Sequence, residues 1–276
     1  MVDLFDVVLN ADDNPLTRED LTAAMRDCDV LVPTVTDRID TDMIAAARTD
    51  LGLIANFGAG TEHIDLEAAA ERHILVTNTP GVFTDDTADL AMAGIIGVPR
   101  RIREGVELIR SGEWSGWTPT ALLGAKLAGK VLGIVGMGQI GVEMAKRARG
   151  FDMRVIYYSR TRKPELESEL GMEYFEPSDL LSTADFVTLH IPLTLETRHF
   201  IGERELQLMK PTAILINAAR GAVVDSQALY TALKEGWISG AALDVTDPEP
   251  ILPDDPLLSL ENLVITPHIG SASIDS

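Results

Sequence analysis

The sequence predicts an α/β protein built from two parallel-sheet domains. Three observations carry that expectation. Short apolar runs alternate with helical stretches in the first third of the chain, and a second alternation of the same kind begins at Lys130. Such alternation places helices on the faces of a parallel sheet. At the head of the second run, a glycine-rich turn joins an apolar strand to an amphipathic helix.

The elements follow in order. DVVLN reads as a strand. Asn14-Pro15 break the chain, and Thr17 is placed to N-cap a helix, with Asp20 three residues later. VLVPTV is a strand, followed by a Thr41-led helix, TDMIAAART. LGLIANFGAG is a strand running into a glycine-rich turn, DLEAAAERH a helix, and ILVTNTP a strand ending at Pro80. From about Thr84 to Ile109 the pattern is helical, with acids in the first turn and Pro99 placed to kink or interrupt it. GEWSGWTPT is a loop. In the second run, VLGIVGMG is strand then turn, QIGVEMAKRARG a helix closed by Gly150, MRVIYYSR a strand, DLLSTA a helix and DFVTLHIPL a strand. AILINAARG, SGAALDV and NLVITPH complete the set as strands. Two such runs imply two domains, at 1–78 and 79–265.

Composition narrows the function. The chain has 276 residues, 46% of them hydrophobic, which suits a folded globular protein. MVDLFDVVLN has no basic start and no long apolar run, and no segment approaches a membrane span, so the expected location is the cytoplasm. With 23 basic against 43 acidic residues the formal net charge is -20, a field that repels nucleic acid. Arginine outnumbers lysine and aspartate outnumbers glutamate; a salt-adapted surface and an ordinary acidic protein both remain open. The single cysteine, Cys28, excludes an intramolecular disulfide and a thiolate metal cluster, and it reads as a small buried residue. No metal site is expected.

Gly136, Gly138, Gln139, Ile140 and Gly141 lie in the match to G-x-G-x-x-G. The pattern alone is weak, but here it follows the strand VLGIV and opens the helix QIGVEMAKRA, the context that a Rossmann dinucleotide site requires. Gly136 permits the tight turn, Gly138 lets a pyrophosphate approach, and Gly141 lets helix and strand pack closely. An NAD site usually carries an acid about 20 residues on; this chain has Ser159, Arg160, Thr161, Arg162 and Lys163 instead. Cations and hydroxyls suit a 2'-phosphate, so NADP(H) is preferred, with NAD(H) possible if the segment is a solvated loop.

Three later apolar runs end in polar residues: INAARG in Arg220, ALDVTDPEP in Asp244 and Glu249, and ITPHIG in His268. In open α/β sheets, ligands gather at the carboxyl ends of strands. A cation for a carboxylate and carbonyl, together with a histidine made basic by a glutamate, suits reduction of a 2-keto acid.

At these residues the chain resembles the D-isomer-specific 2-hydroxyacid dehydrogenases. GMGQIG, DFVTLHIPLTLETRHFI, INAARGAVVD, ALDVTDPEP and TPHIGSAS match that family in order, with NFGAGTEHID and NTPGVFTDDTADLAM upstream. YYSRTRKPE and GEWSGWTPT are most similar to its glyoxylate/hydroxypyruvate reductase branch. The resemblance implies a flavodoxin-like substrate domain beside the Rossmann domain, a small 2-keto or 2-hydroxy acid in the cleft between them, and a homodimer built on the long helix and Trp loop. It implies that Arg220 binds and polarises the substrate, that His268 is the proton donor and that Glu249 is its partner. Backbone N–H groups of Ala59 and Gly60 would hold the substrate carboxylate. Thr87 and Ala218 would lie on the cofactor, Asp244 on its carboxamide, and Pro192 and Thr197 on its adenosine side. Within the family, a D-lactate or phosphoglycerate type remains open, as does a non-catalytic NAD(P)-binding protein.

His190 ends a strand but is assigned a structural role, and His63 stays undecided. Trp114 and Trp117 are packing residues, with Trp117 a candidate to reach a partner subunit's site. Against the family pattern both chain ends are short. Residues 266–276 are then expected to be a stub returning to the substrate domain, and an apolar seam is expected where further elements would pack.

Overall fold

The structure is a computed structural model that describes residues 4–12 and 14–274. It divides into two compact units, Met1–Gly81 and Val82–Ser276. Among the described residues, no helix is long and apolar enough to cross a membrane.

In the first unit, helices α1 (Arg18–Asp27), α2 (Thr41–Ala46) and α3 (Leu66–Glu71) alternate with strands β1 (Val30–Leu31), β2 (Leu53–Ala55) and β3 (Leu75–Thr77). The strands form a parallel sheet in the order β1-β2-β3, with Leu31 opposite Ile54 and Ile54 opposite Val76. Thr17 caps α1, and its pairing with Asp20 closes a capping box that satisfies two otherwise unpaired helix N–H groups. The cap of α2 is Asp40 and not Thr41: the Asp40 carboxylate accepts from the Met43 N–H, while the Thr41 hydroxyl turns to Asp65. Met25, Ile39, Met43, Ile44 and Ile54 form the core of this unit. The expected DVVLN strand is absent. Residues 6–10 form no regular element and pair with no strand among the described residues, and Val8 is 98% exposed. A strand persists through its ladder, and here there is no ladder to hold it.

In the second unit the long helical pattern is broken at Pro99 into α4 (Thr84–Gly97) and α5 (Ile102–Arg110). The main sheet comprises β4 (Val131–Val135), β5 (Arg154–Tyr158), β6 (Glu173–Tyr174), β7 (Phe186–Leu189), β8 (Ile214–Asn217), β9 (Gly240–Leu243) and β10 (Leu263–Ile265). Between them run α6 (Gln139–Gly150), α7 (Pro164–Leu170), α8 (Pro177–Thr183), α9 (Glu203–Leu208) and α10 (Ser226–Glu235). All seven strands are parallel, in the order β10-β9-β8-β7-β4-β5-β6. Strand order reverses between β4 and β7, the switch point of a doubly wound Rossmann sheet. Alternate residues feed two cores. Val135, Ile156, Val187 and Leu215 face one, and Ile134, Tyr157, Phe186 and Ile216 the other. Burial on both faces explains why these strands read as continuous apolar runs.

Candidate active site

Because the strands are parallel, the residues that follow β4, β7, β8, β9 and β10 all emerge along one edge of the sheet. The glycine fingerprint follows β4. Gly136 holds a φ of 105°, and a Cβ there would lie 2.4 Å from the carbonyl oxygen of His190, which follows β7. A Cβ on Gly141 would lie 2.1 Å from the Gly136 carbonyl oxygen, so neither position admits a side chain. At Gly138 a Cβ would meet nothing within 4 Å. Space is closed on the protein side and open at the N-terminus of α6, where Gln139 and Ile140 begin the helix. These residues fit the pyrophosphate of a dinucleotide.

Beyond β5, the structure changes the reading of the basic segment. Arg162 is held in a fork by Glu167, with Nε 2.7 Å and Nη2 2.8 Å from its two oxygens. Tyr157 donates to the same carboxylate at 2.7 Å. The Arg162 and Tyr157 hydrogen bonds hold Glu167 down to about 2. An acid therefore does serve this segment, supplied by α7 and not by the loop. The Ser159 hydroxyl donates a hydrogen bond to the Thr161 carbonyl at 2.6 Å. Of the expected phosphate ligands, exposed Arg160 has no such restraint among the described residues.

Arg220 follows β8 and is largely withdrawn from water. Burial lowers its pKa, opposed by the charge of Glu249, but a guanidinium remains cationic at any working pH. Its loop is shaped by Asn217, which is buried. The Asn217 Nδ2 donates to the Arg220 carbonyl at 2.9 Å, and its Oδ1 accepts from the Ala219 N–H at 3.1 Å. Next to Arg220, a Cβ on Gly221 would lie 1.9 Å from the Thr246 carbonyl oxygen. Glycine there lets the loop carrying Glu249 approach the loop carrying Arg220.

His268 Nδ1 is bonded to Glu249 Oε1, and the other Glu249 oxygen accepts from the Thr246 N–H at 3.2 Å. That bond and the Glu249 charge raise His268 above its ordinary value against the effect of burial. For Glu249, burial pushes upward, but His268, the Thr246 N–H and Arg220 outweigh it, so the carboxylate is favoured. Glu249 lies between two cis X-Pro bonds, Asp247-Pro248 and Glu249-Pro250. His268 itself has a φ of 54°, in the left-handed region that a β-carbon disfavours.

Asp244 holds that conformation. Its Oδ1 accepts from the Thr266 hydroxyl at 2.6 Å and the Ile269 N–H at 2.9 Å, and its Oδ2 from the Gly270 N–H at 2.7 Å. The His268 N–H reaches the Asp244 carbonyl at 2.9 Å. The single O–H of buried Thr87 is shared between the Phe83 carbonyl at 2.8 Å and the Gly270 carbonyl at 3.2 Å. Residues 266–270 are thus fastened to Asp244 and Thr87 of the second unit. Asp244 secures the loop that carries the histidine, a role that the sequence did not disclose.

Thr197 donates to the Pro192 carbonyl at 2.6 Å, closing a turn after β7. Ala218 is half-buried after β8. The ring of His190 is bonded to Thr188 at 2.9 Å, and burial pushes it down to about 3, so it is neutral and structural. Trp117 is 82% exposed and Trp114 is also exposed, so neither packs as expected within the described chain. Cys28 is half-buried and not fully buried as expected, and that partial burial pushes its thiol up.

In the first unit, Ala59 and Gly60 lie in the turn after β2. The sequence reading missed Asn56, the polar residue that closes the apolar run LIAN. Asn217 closes ILIN in the same manner, and a buried asparagine at a strand end was the signal in both. Asn56 joins His63 to this turn: His63 Nε2 lies 2.9 Å from Asn56 Oδ1.

Comparison with known proteins agrees with this geometry. The family described as D-isomer specific 2-hydroxyacid dehydrogenase, NAD binding domain, matches residues 92–270. The chain is 53% identical over 273 residues to a glyoxylate reductase of Thermococcus litoralis, covering 98% of this chain and 82% of that protein. Among solved structures, the TT0316 protein from Thermus thermophilus superimposes with a TM-score of 0.89 at 49% identity, over 94% of this chain and 81% of that one. A D-lactate dehydrogenase from Aquifex aeolicus, complexed with NAD and lactic acid, gives a TM-score of 0.83 at 29% identity, over 96% and 81%.

Proposed function

The chain belongs to the D-isomer-specific 2-hydroxyacid dehydrogenases, which are NAD(P)-dependent oxidoreductases, and we propose that within this family it reduces glyoxylate and hydroxypyruvate to glycolate and D-glycerate. The observation that carries the reading is the bond of His268 Nδ1 to Glu249, with the half-buried Arg220 guanidinium electrostatically coupled to both. The relative's name, glyoxylate reductase, supports the substrate.

The nicotinamide cofactor, when bound, supplies the hydride that ends on the substrate's C2. The fingerprint from Gly136 to Gly141 holds its pyrophosphate, Pro192 and Thr197 line its adenosine side, and Thr87 and Ala218 flank it. Asp244 Oδ2 accepts only the Gly270 N–H among the described residues, so it would have capacity left to accept from the nicotinamide carboxamide. Arg160 gives NADPH its preference over NADH, since Arg162 is occupied by Glu167. Arg220 binds the substrate carboxylate and draws electron density from the carbonyl. With Nδ1 committed to Glu249, His268 donates its Nε2 proton to the carbonyl oxygen as the alcohol forms; in oxidation the neutral ring takes that proton back. In the first unit, the Ala59 and Gly60 N–H groups bind the substrate carboxylate.

The enzyme acts as a dimer. Supporting this, α5 buries none of its residues, and Ile102, Val106 and Ile109 lie exposed along it, with Trp114 and Trp117 in the loop that follows. A second copy of that surface would cover them. Sedimentation of Ile109→Glu as monomer against wild-type dimer tests this.

Oxidation of NADPH and NADH with glyoxylate, hydroxypyruvate and pyruvate tests the reaction. Turnover is expected with the first two acids and NADPH. Faster turnover of pyruvate would move the chain to the D-lactate type, and cofactor binding with no turnover would make it a non-catalytic binding protein.

A further inference from the structure

The turn 58–60 of the first unit is held at all three of its carbonyl groups and at one amide, the Gly58 N–H, which donates to the Asn56 carbonyl at 3.1 Å. Asn56 Nδ2 donates one N–H to the Gly58 carbonyl at 3.0 Å and the other to the Gly60 carbonyl at 2.8 Å. Asn78 Nδ2 donates to the Ala59 carbonyl at 2.7 Å, and the Thr79 N–H adds a second bond to Gly58 at 3.0 Å. All three carbonyls are therefore held by donors. Among the described residues, neither the Ala59 nor the Gly60 N–H has a partner in the structure. A short stretch with its carbonyls tied back and its amides left over is an anion-binding concavity.

Asn56 can do this in only one orientation of its amide. With oxygen and nitrogen exchanged, an oxygen would face two carbonyls. The two carbonyls thus turn Asn56 Oδ1 toward His63, whose Nε2 lies 2.9 Å away and matches that oxygen as a donor. Burial lowers the pKa of the ring, so at neutral pH it is uncharged, and the tautomer with its proton on Nε2 completes the bond. Asn56 itself is 2% exposed and touches no solvent that could replace these bonds.

We propose that Asn56, oriented by His63, is the positioning residue that presents the Ala59 and Gly60 amides to the carboxylate of the substrate. The inference rests on the proposed role of those amides, and it adds the side chains that govern them. It separates two jobs: Arg220 and His268 govern the chemical step, whereas Asn56 governs how tightly a carboxylate is held before it.

The test is steady-state kinetics on Asn56→Asp, with oxamate inhibition and direct NADPH binding alongside. Asp replaces both donors with an acceptor and sets a negative charge behind the turn. The expected result is a KM for glyoxylate and a Ki for oxamate both raised about tenfold or more, as for a lost charge-assisted hydrogen bond. The kcat and the NADPH affinity stay near wild type. A residue that only stabilises the fold would instead lower the melting temperature without moving KM and Ki together. Two variants at His63 keep the question open to measurement if Asn56→Asp does not fold. His63→Gln retains an N–H donor and is expected to keep both constants near wild type, while His63→Leu raises them; equal constants in the two would overturn the role of His63. Ala59→Pro, which removes one of the amides, separates the two levels of the argument. If it raises KM and folded Asn56→Asp does not, the positioning role fails alone. If neither raises KM, the turn does not hold the carboxylate and the reading beneath the inference fails with it.

Discussion

The two units build their working parts in opposite ways. In the second unit the reactive groups are side chains, placed by backbone groups and by two buried side chains: Thr246 N–H orients Glu249, Asn217 shapes the loop of Arg220, and Asp244 collects the amides beneath His268. In the first unit the proposed working groups are backbone amides, and side chains place them, with Asn56 and Asn78 holding the carbonyls of the turn. The chemistry explains the division. Proton transfer needs a titratable ring, which only a side chain supplies, whereas a carboxylate is recognised well by fixed N–H dipoles that never change charge. Changes in the second unit should therefore act on kcat, and changes in the first on KM.

The largest expected effect tests the kcat half of that division. His268→Ala removes the proton donor and should lower kcat by ~10²–10⁴-fold, with a much smaller change in KM. A loss confined to KM would dissolve the contrast. Asp244→Asn comes next. The amide cannot accept from all three donors that the carboxylate serves, and a buried unpaired donor costs about 1–3 kcal/mol of stability. Denaturant unfolding should show that loss, and kcat should fall by about tenfold as the loop holding His268 at its left-handed φ is released. Unchanged stability would mean that the loop is held by something other than Asp244.

Glu249→Gln gives a gentler effect that is visible in pH. Reduction uses protonated His268, whose pKa Glu249 raises above 6.5. The reductive kcat/KM is thus steady at low pH and falls as pH rises through that raised value. Without the carboxylate the ring loses its proton more readily, so the fall should begin at lower pH, and oxidation should gain activity at lower pH in step. A limb that does not move would assign the titration to another group.

Legibility in the sequence divides along the same line. The second unit's strands were readable because burial on both faces writes them as unbroken apolar runs, and Arg220, Glu249 and His268 were readable because each stands out chemically at a strand end. The supporting contacts were not. Asp244 was visible as a residue but not as the latch of a loop 22 to 26 positions away, because that pairing exists only once β9 and β10 lie side by side. DVVLN has the composition of a strand, but pairing decides whether a strand exists, and residues 6–10 have no partner strand among the described residues. In the first unit Ala59 and Gly60 have no side chains to announce a function, so their place came from family resemblance, and Asn56 passed unread as the end of an apolar run.

Glu167 on Arg162 is the intermediate case, a side chain held by a side chain, and it sharpens the comparison at the smallest scale. The sequence showed a basic segment without an acid; the fold brings one from α7. If that fork restrains Arg162, Glu167→Gln should release the guanidinium toward a 2'-phosphate. NADPH should then bind several-fold more tightly while NADH binding stays as it was. The gain is bounded because Arg162 is exposed, and exposed ion pairs are worth only ~0–1 kcal/mol. It should shrink further in high salt, as screening weakens both the old pair and the new one. Calorimetric titration with both cofactors measures it, and Arg160→Ala supplies the opposite control, a selective weakening of NADPH. The alternative outcome is equally informative. Glu167 also receives the Tyr157 hydroxyl, and Tyr157 in turn accepts from the Lys163 N–H at 2.7 Å. If Glu167→Gln weakens both cofactors alike, the fork is a brace for the loop, and selectivity rests on Arg160 alone.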